Sequence, residues 1–356
     1  MLIQLAARDF RNLEPLDLAF GEGIHLVLGP NGAGKTSLLE AIYALATTRS
    51  FRTARIADCR RHGAPGFRLR GEVDAASRTT LDFVWLDGGR DRLVNGKSST
   101  LAAHLEVLPV VAWSAGDLDV LVGSPAERRR FLDRGVVGQR PAAIAVLGRY
   151  RRVLEEKRRL IERGGADAEW QTWNHMLAAA AAELIGRRAA YARELASALD
   201  EVLGACALGF PPIELRYQPS PRRGPEGAES IYDELAAAAA AERRQQRLLL
   251  GPHRDELRIL WGGRELRQVA SAGERKALGL ALVTAHGEVL RRAGRAPSYL
   301  LDDVDTELDR SRLEALWGVL GAARQLFATS NRPRVWESIA TSRRWQCEAG
   351  RIVQAV

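Results

Sequence analysis

The stretch Ile24-His25-Leu26-Val27-Leu28-Gly29-Pro30-Asn31-Gly32-Ala33-Gly34-Lys35-Thr36 decides the reading of this 356-residue chain. Its first five residues are an apolar run ending at a glycine, the pattern of a short buried strand. Gly29 to Thr36 fits GxxxxGK[ST] at every position. Ser37 to Ala46 then reads as a helix, apolar on one side. Strand, glycine-rich loop and helix in that order form a phosphate cradle. The glycines let backbone N–H groups turn inward around phosphate oxygens. The helix beginning near Lys35 adds its dipole and its free N–H groups. Gly29, Pro30, Asn31, Gly32, Ala33, Gly34, Lys35 and Thr36 are therefore expected to hold ATP. Lys35 would reach the β- and γ-phosphates, and the Thr36 hydroxyl would ligate Mg²⁺.

A second segment completes such a site. Tyr299-Leu300-Leu301-Asp302-Asp303 is an apolar strand ending in two carboxylates, the form of a Walker B segment. Asp302 would hold Mg²⁺, and Asp303 stands where a base orients the attacking water. Ser271-Ala272-Gly273-Glu274 precedes a helix running to about Arg291. Ser271 and Glu274 have the spacing of a capping box. The same residues resemble the Ser-Gly-Gly-Gln signature loop of ABC proteins, with Ala272 and Glu274 replacing Gly and Gln. Both readings hold together, because a capped helix N-terminus is also an anion site. Thr306-Glu307-Leu308-Asp309 has the spacing of a D-loop. Thr329-Ser330-Asn331 follows a late strand, where ABC proteins place a switch histidine; here Thr329 or Ser330 is the candidate γ-phosphate sensor. Asp303 replaces the more usual glutamate.

Beyond these motifs, residues 2–7, Arg68 to Val73, Thr80 to Leu86, Val107 to Trp113, Leu257 to Leu260, Ser298 to Asp302 and Gln325 to Ala328 read as strands. Residues 125–204 are helical in pattern, most simply two long helices forming a hairpin. Pro211-Pro212 and Pro219 to Gly227 read as loops, and Glu229 to Arg247 as a further helix. The expected fold is α/β, an ABC-type P-loop ATPase head with an inserted α-helical arm lobe. The head would comprise residues 1–112 and 245–356, and the arm 113–244.

Composition narrows the function. No apolar run is long enough to suggest a membrane span, and the N-terminus lacks the pattern of a signal peptide. Three scattered cysteines, Cys59, Cys206 and Cys347, indicate neither a disulfide framework nor a zinc motif. A cytoplasmic protein is expected. The net charge of +8 points to a polyanionic partner such as nucleic acid. Only four of the 52 basic residues are lysines, so coding bias toward arginine is the competing explanation. Residues 113–244 hold 20 basic and 19 acidic residues, leaving 32 and 25 in the flanks. Arg49 to Arg70 is the densest basic stretch, so the flanks are the expected DNA surface.

Five segments together resemble the RecF family of bacterial recombination-repair ATPases. They are Phe10-Arg11-Asn12-Leu13, Gly29 to Tyr43, Gly123 to Asp133 (GSPAERRRFLD), Gly251 to Leu257 (GPHRDEL) and Leu300 to Asp309 (LLDDVDTELD). The resemblance implies a slow, DNA-stimulated ATPase that dimerises on ATP, with Ser271 of each copy touching nucleotide held by the other. It implies binding to gapped or single-stranded–duplex DNA, and work with RecO and RecR in loading RecA during repair, replication restart and SOS induction. By analogy with related heads, Arg11 and Asn12 would reach the nucleotide. Arg128 to Arg130 and Arg254 would form ion pairs beside Asp133 and Asp255. Two other classes compete: an ABC subunit powering a transporter, and a nucleotide-gated scaffold without meaningful turnover. The 236-residue interval from Lys35 to Ser271 is too long for the first and too short for an SMC coiled coil.

Overall fold

A computed structural model describes residues 1–221, 227–306, 308 and 310–355. The chain divides into two compact units. The first comprises Met1–Leu118, Ala198–Phe210 and Ser271–Val356; the second comprises Asp119–Ser197 and Pro211–Ala270.

The first unit holds two sheets, each of six strands among the described residues. One is mainly parallel, in the spatial order Arg351–Gln354, Arg343–Glu348, Gly23–Leu28, Gln325–Ser330, Ser298–Leu301, Val110–Trp113. Only its edge strand Arg351–Gln354 runs antiparallel. The other is antiparallel, in the order Leu16–Ala19, Leu2–Arg8, Gly66–Asp74, Arg78–Leu86, Gly89–Val94, Lys97–Ser98. Helix Lys35–Thr47 packs on strands of both sheets. Ten of its 13 residues are buried, the polar Lys35, Ser37 and Glu40 among them, so burial extends beyond the apolar side. A helix between two sheets has no wet face, which explains the difference. Leu38, Leu39, Ile42 and Leu45 are fully buried, each worth about 2 kcal/mol of transfer free energy. Gln325, 1% exposed, ties the two sheets. Its Nε2 donates to the carbonyls of Leu2 (2.7 Å) and Gly21 (3.1 Å), and its Oε1 accepts from Leu2 N–H (2.9 Å) and the Ser298 hydroxyl (2.8 Å). All four hydrogen-bonding positions of the buried amide are thus used.

The second unit is built on helices Pro125–Gln139, Ile144–Arg163, Ala228–Gln245 and most of Asp167–Cys206. Three helices therefore span residues 125–206, where the sequence pattern predicts two. Val146, Leu147, Tyr150, Val153, Leu154, Leu160 and Ile161 form the buried stripe of one, facing Leu177, Ala181 and Leu184 of another. Strand Ile213–Gln218, next to Pro211-Pro212, pairs antiparallel with Glu256–Trp261. That ladder carries residues 245–270 into the second unit. The units consequently divide the chain after Leu118 and before Ser271, not at 112 and 245.

Candidate nucleotide-binding site

The phosphate loop sits at the end of the central strand Gly23–Leu28. Gly34, with φ 118°, adopts a left-handed conformation that starts the helix at Lys35. A side chain at Gly29 would collide with the Cys347 carbonyl, so that position admits only glycine. Lys35 is 5% exposed, and its Nζ donates to the carbonyls of Gly29 and Pro30, both at 3.0 Å. The ammonium thus lies over the loop, among oxygens.

Long-range contacts support the loop from several sides. Asn12 Nδ2 donates to the Gly32 carbonyl (2.9 Å), and the Ser37 hydroxyl donates to Asn12 Oδ1 (2.7 Å). Gly350 N–H donates to the Ala33 carbonyl (2.7 Å), and Asn331 Nδ2 donates to Asn31 Oδ1 (2.9 Å). Asn12 therefore braces the loop through its side chain. Arg11 is engaged elsewhere. Its guanidinium forms a bidentate pair with the fully buried Glu40 (2.6 and 2.8 Å) and donates to the Asp58 carbonyl (2.7 Å). Arg11 thus locks the helix to the Ile56–Cys59 turn. Burial works against the Glu40 anion, but hydrogen bonds from Arg11 and Ser50, with the charges of Arg11 and Arg52, hold its carboxyl below the usual range.

Opposite the loop stand the two carboxylates. The Thr36 hydroxyl donates to Asp302 Oδ1 at 2.9 Å, joining phosphate loop and Walker B across 266 residues of sequence. The fully buried Thr329 donates to the same oxygen (2.8 Å) and accepts from Asp303 N–H (2.8 Å). Ser330, equally buried, turns the other way and donates to Asp305 Oδ2 (2.8 Å). Of the two candidate sensors, Thr329 is the one beside the carboxylates. Burial pushes the Asp302 carboxyl above its ordinary range, against the hydrogen bonds of Thr329 and Thr36. Asp303 adopts φ 45°, and its Oδ1 is buried without a hydrogen-bond partner. A buried acceptor in that state favours a donor such as water. A carboxylate and a threonine hydroxyl are the hard oxygen ligands that Mg²⁺ takes alongside phosphates. The residues present therefore fit Mg²⁺ with a nucleoside triphosphate.

Helix Ala272–Arg292 begins at the exposed Ser271 with a complete capping box. Ser271 N–H donates to Glu274 Oε2 (2.7 Å), and Ser271 Oγ accepts from Glu274 N–H (3.4 Å). Sequence reasoning missed Lys276, one turn further on. Its Nζ donates to the Asp303 carbonyl (3.0 Å) and to the Thr306 hydroxyl (2.5 Å), tying the signature helix to the turn after Walker B. In the sequence Lys276 is one of three consecutive charged residues, Glu274-Arg275-Lys276, and nothing there marks it as the buried one. Glu307 and Asp309 of the expected D-loop lie outside the described residues.

In the second unit the other two motifs meet. The arginine that joins Asp133 (2.8 Å) and Asp255 (2.7 Å) is Arg188, not Arg128 to Arg130 or Arg254. Arg128 pairs with Glu256 (2.7 Å), and Arg130 with Glu127 (2.9 Å).

A parallel sheet whose phosphate loop is joined to a two-carboxylate strand end, with a capped signature helix, defines an ABC-type P-loop nucleotide-binding head. The model of the RecF/RecN/SMC N-terminal domain matches residues 1–350. The chain is 37% identical over 352 residues to the DNA replication and repair protein RecF of Anaeromyxobacter sp. (strain Fw109-5), covering 95% of this chain and 94% of that protein. It is 36% identical over 362 residues to RecF of Magnetococcus marinus, covering 96% and 94%. A solved structure of the recombination mediator protein RecF with ATPrS, of the RecFOR pathway, superimposes with a TM-score of 0.89 at 24% identity, over 100% of this chain and 98% of that one. The chain belongs to the RecF family.

Proposed function

We propose that the chain is an ATP-dependent DNA-binding protein of recombinational repair and replication restart, in which ATP closes a homodimer on DNA. The observation that carries the nucleotide reading is the 2.9 Å contact from Thr36 to Asp302, with the unpartnered Asp303 Oδ1 beside it. Gly29 to Thr36 would cradle the phosphates, and Lys35 would exchange its two carbonyl partners for phosphate oxygens. Thr36 and Asp302 would hold Mg²⁺, which when bound supplies charge stabilisation at the phosphates. Asp303 would accept a hydrogen bond from the attacking water and orient it. Ser271 is exposed at the N-terminus of a 21-residue helix, a position from which it would meet nucleotide held by a second copy. RecR- and RecO-assisted loading of RecA, SOS induction and a cytoplasmic location are part of this proposal, and membership of the RecF family supports them.

Support for DNA comes from the antiparallel sheet. Arg8 and Arg68 stand directly opposite each other and are both exposed, with Arg70 two residues on. Like charges in register repel, and a phosphodiester backbone would relieve that repulsion while releasing counterions. Three measurements test the proposal. Lys35→Ala is expected to abolish ATP binding, and Asp303→Asn to abolish single-turnover hydrolysis while leaving binding. DNA affinity that is unchanged between low and high salt would reject the basic surface.

A further inference from the structure

The motifs that the nucleotide site leaves unused, Gly123 to Asp133 and Gly251 to Leu257, meet at a cavity of about 720 Å³ in the second unit. Ile161 and Leu248, both buried, give it an apolar floor. Four arginines from four places in the chain line it: Arg129, Arg158, Arg247 and Arg254. Three of them have neutral hydrogen-bond acceptors. Arg129 donates to the Asp255 carbonyl (2.9 Å), Arg254 to the Leu248 carbonyl (2.9 Å), and Arg247 to the Gln245 amide oxygen (2.8 and 3.1 Å). Arg158 has Glu155 at 3.7 Å. Two carboxylates also line the cavity, Glu162 and Glu256, and Glu256 is already bound by Arg128. The lining therefore carries a surplus of positive charge. Burial, and next the charge of Arg188, lower the Arg129 guanidinium below its ordinary range, as expected where cations crowd. The exposed Ser124 opens helix Pro125–Gln139 at the cavity wall, and its hydroxyl makes no capping bond.

The walls are fixed from behind. Asp255, fully buried, accepts from Arg188 (2.7 Å), the Tyr217 hydroxyl (2.5 Å) and Ser220 N–H (2.8 Å). The Tyr150 hydroxyl accepts from His253 N–H (3.0 Å) and lies 2.9 Å from its Nδ1. Arginines held in place by neighbouring groups lose little freedom when they meet a ligand.

We propose that this cavity binds phosphates of a nucleic-acid strand, as an anion site separate from Gly29 to Thr36. The proposal rests on the DNA reading above and extends it to the second unit. Guanidinium forks match phosphate oxygens in pairs. Several forks around an apolar floor, in a space larger than one phosphate needs, suit a nucleotide segment more than an isolated anion.

The test is fluorescence anisotropy with the full chain and a short labelled single-stranded oligodeoxynucleotide. Arg158→Glu/Arg247→Glu changes two exposed cavity residues. Arg159→Glu/Arg244→Glu makes the same charge change at exposed positions outside the lining. The cavity variant is expected to bind at least about tenfold more weakly at low salt, with a salt slope reduced by about two. The control should stay close to wild type. Equal binding by wild type and both variants would overturn the cavity assignment while leaving the DNA reading intact. Absence of oligonucleotide binding by wild type would overturn both. Thymidine monophosphate competing as strongly as the oligonucleotide would replace the strand with a free nucleotide. Polyglutamate that binds wild type and is lost in the cavity variant would make the site one for acidic polypeptide, against the proposal.

Discussion

Replacing Thr329 by valine separates two roles for a residue that lies beside both Walker B carboxylates. The side chain is fully buried and makes two hydrogen bonds of 2.8 Å, donating to Asp302 Oδ1 and accepting from Asp303 N–H. Valine keeps the shape and removes both. A hydrogen bond to a charged group contributes about 1.5–3 kcal/mol, and an N–H left buried without a partner costs about 1–3 kcal/mol. The two losses share one side chain and do not simply add. Thr329→Val is therefore expected to destabilise the nucleotide-free protein by roughly 2–4 kcal/mol. The assay is chemical denaturation without nucleotide, paired with hydrogen exchange at the Asp303 amide. A brace predicts lost stability and faster exchange at that amide before any ATP is added. A residue that only senses γ-phosphate would leave both unchanged. Stability within about 0.5 kcal/mol of wild type, the range of inconsequential substitutions, would rule out the brace.

Two further predictions concern the second unit. Lys157 and Glu242 form an ion pair at 2.9 Å with both side chains fully buried. Lys157→Met should cost about 3–5 kcal/mol by stranding the carboxylate, and Lys157→Met/Glu242→Leu should recover most of it; a single-variant loss under about 1 kcal/mol would contradict this. His253 is the other case: burial, then the charge of Arg254, lower its pKa to about 4. The unfolded chain then binds the extra proton first, so stability is full above about pH 6.5 and falls as pH drops toward 4, by at most about 3 kcal/mol. His253→Gln should remove that part of the acid dependence, and denaturation curves with the same pH slope as wild type would count against it.

The phosphate loop was legible in the sequence because its chemistry is local: glycines, a lysine and a threonine at fixed spacing between a strand and a helix. Asp302 and Asp303 were legible for the same reason, and so was the Ser271–Glu274 cap. What the sequence left unread was set by distant partners. Asn12 braces a loop 20 residues away, and Lys276 reaches a carbonyl 27 residues on. The roles of Thr329 and Ser330 depend on the alternation of one strand, which sends adjacent hydroxyls to opposite sides. The pairing of Arg11 with the buried Glu40, 29 residues on, is likewise invisible in the local pattern. Strand Ile213–Gln218 was hidden beside two prolines, and its pairing with Glu256–Trp261 moved the unit boundary. Residue patterns showed that a helical insertion exists; long-range pairing decided where it ends.

In the proposed dimer, ATP held at Gly29 to Thr36 meets Ser271 of a second copy. Sedimentation velocity of wild type, Lys35→Ala and Ser271→Arg, each with and without Mg²⁺ and ATP, tests it most directly. Wild type is expected to be a dimer with ATP, and both variants monomers under every condition. Equal ATP-dependent dimerisation by wild type and Ser271→Arg would contradict it.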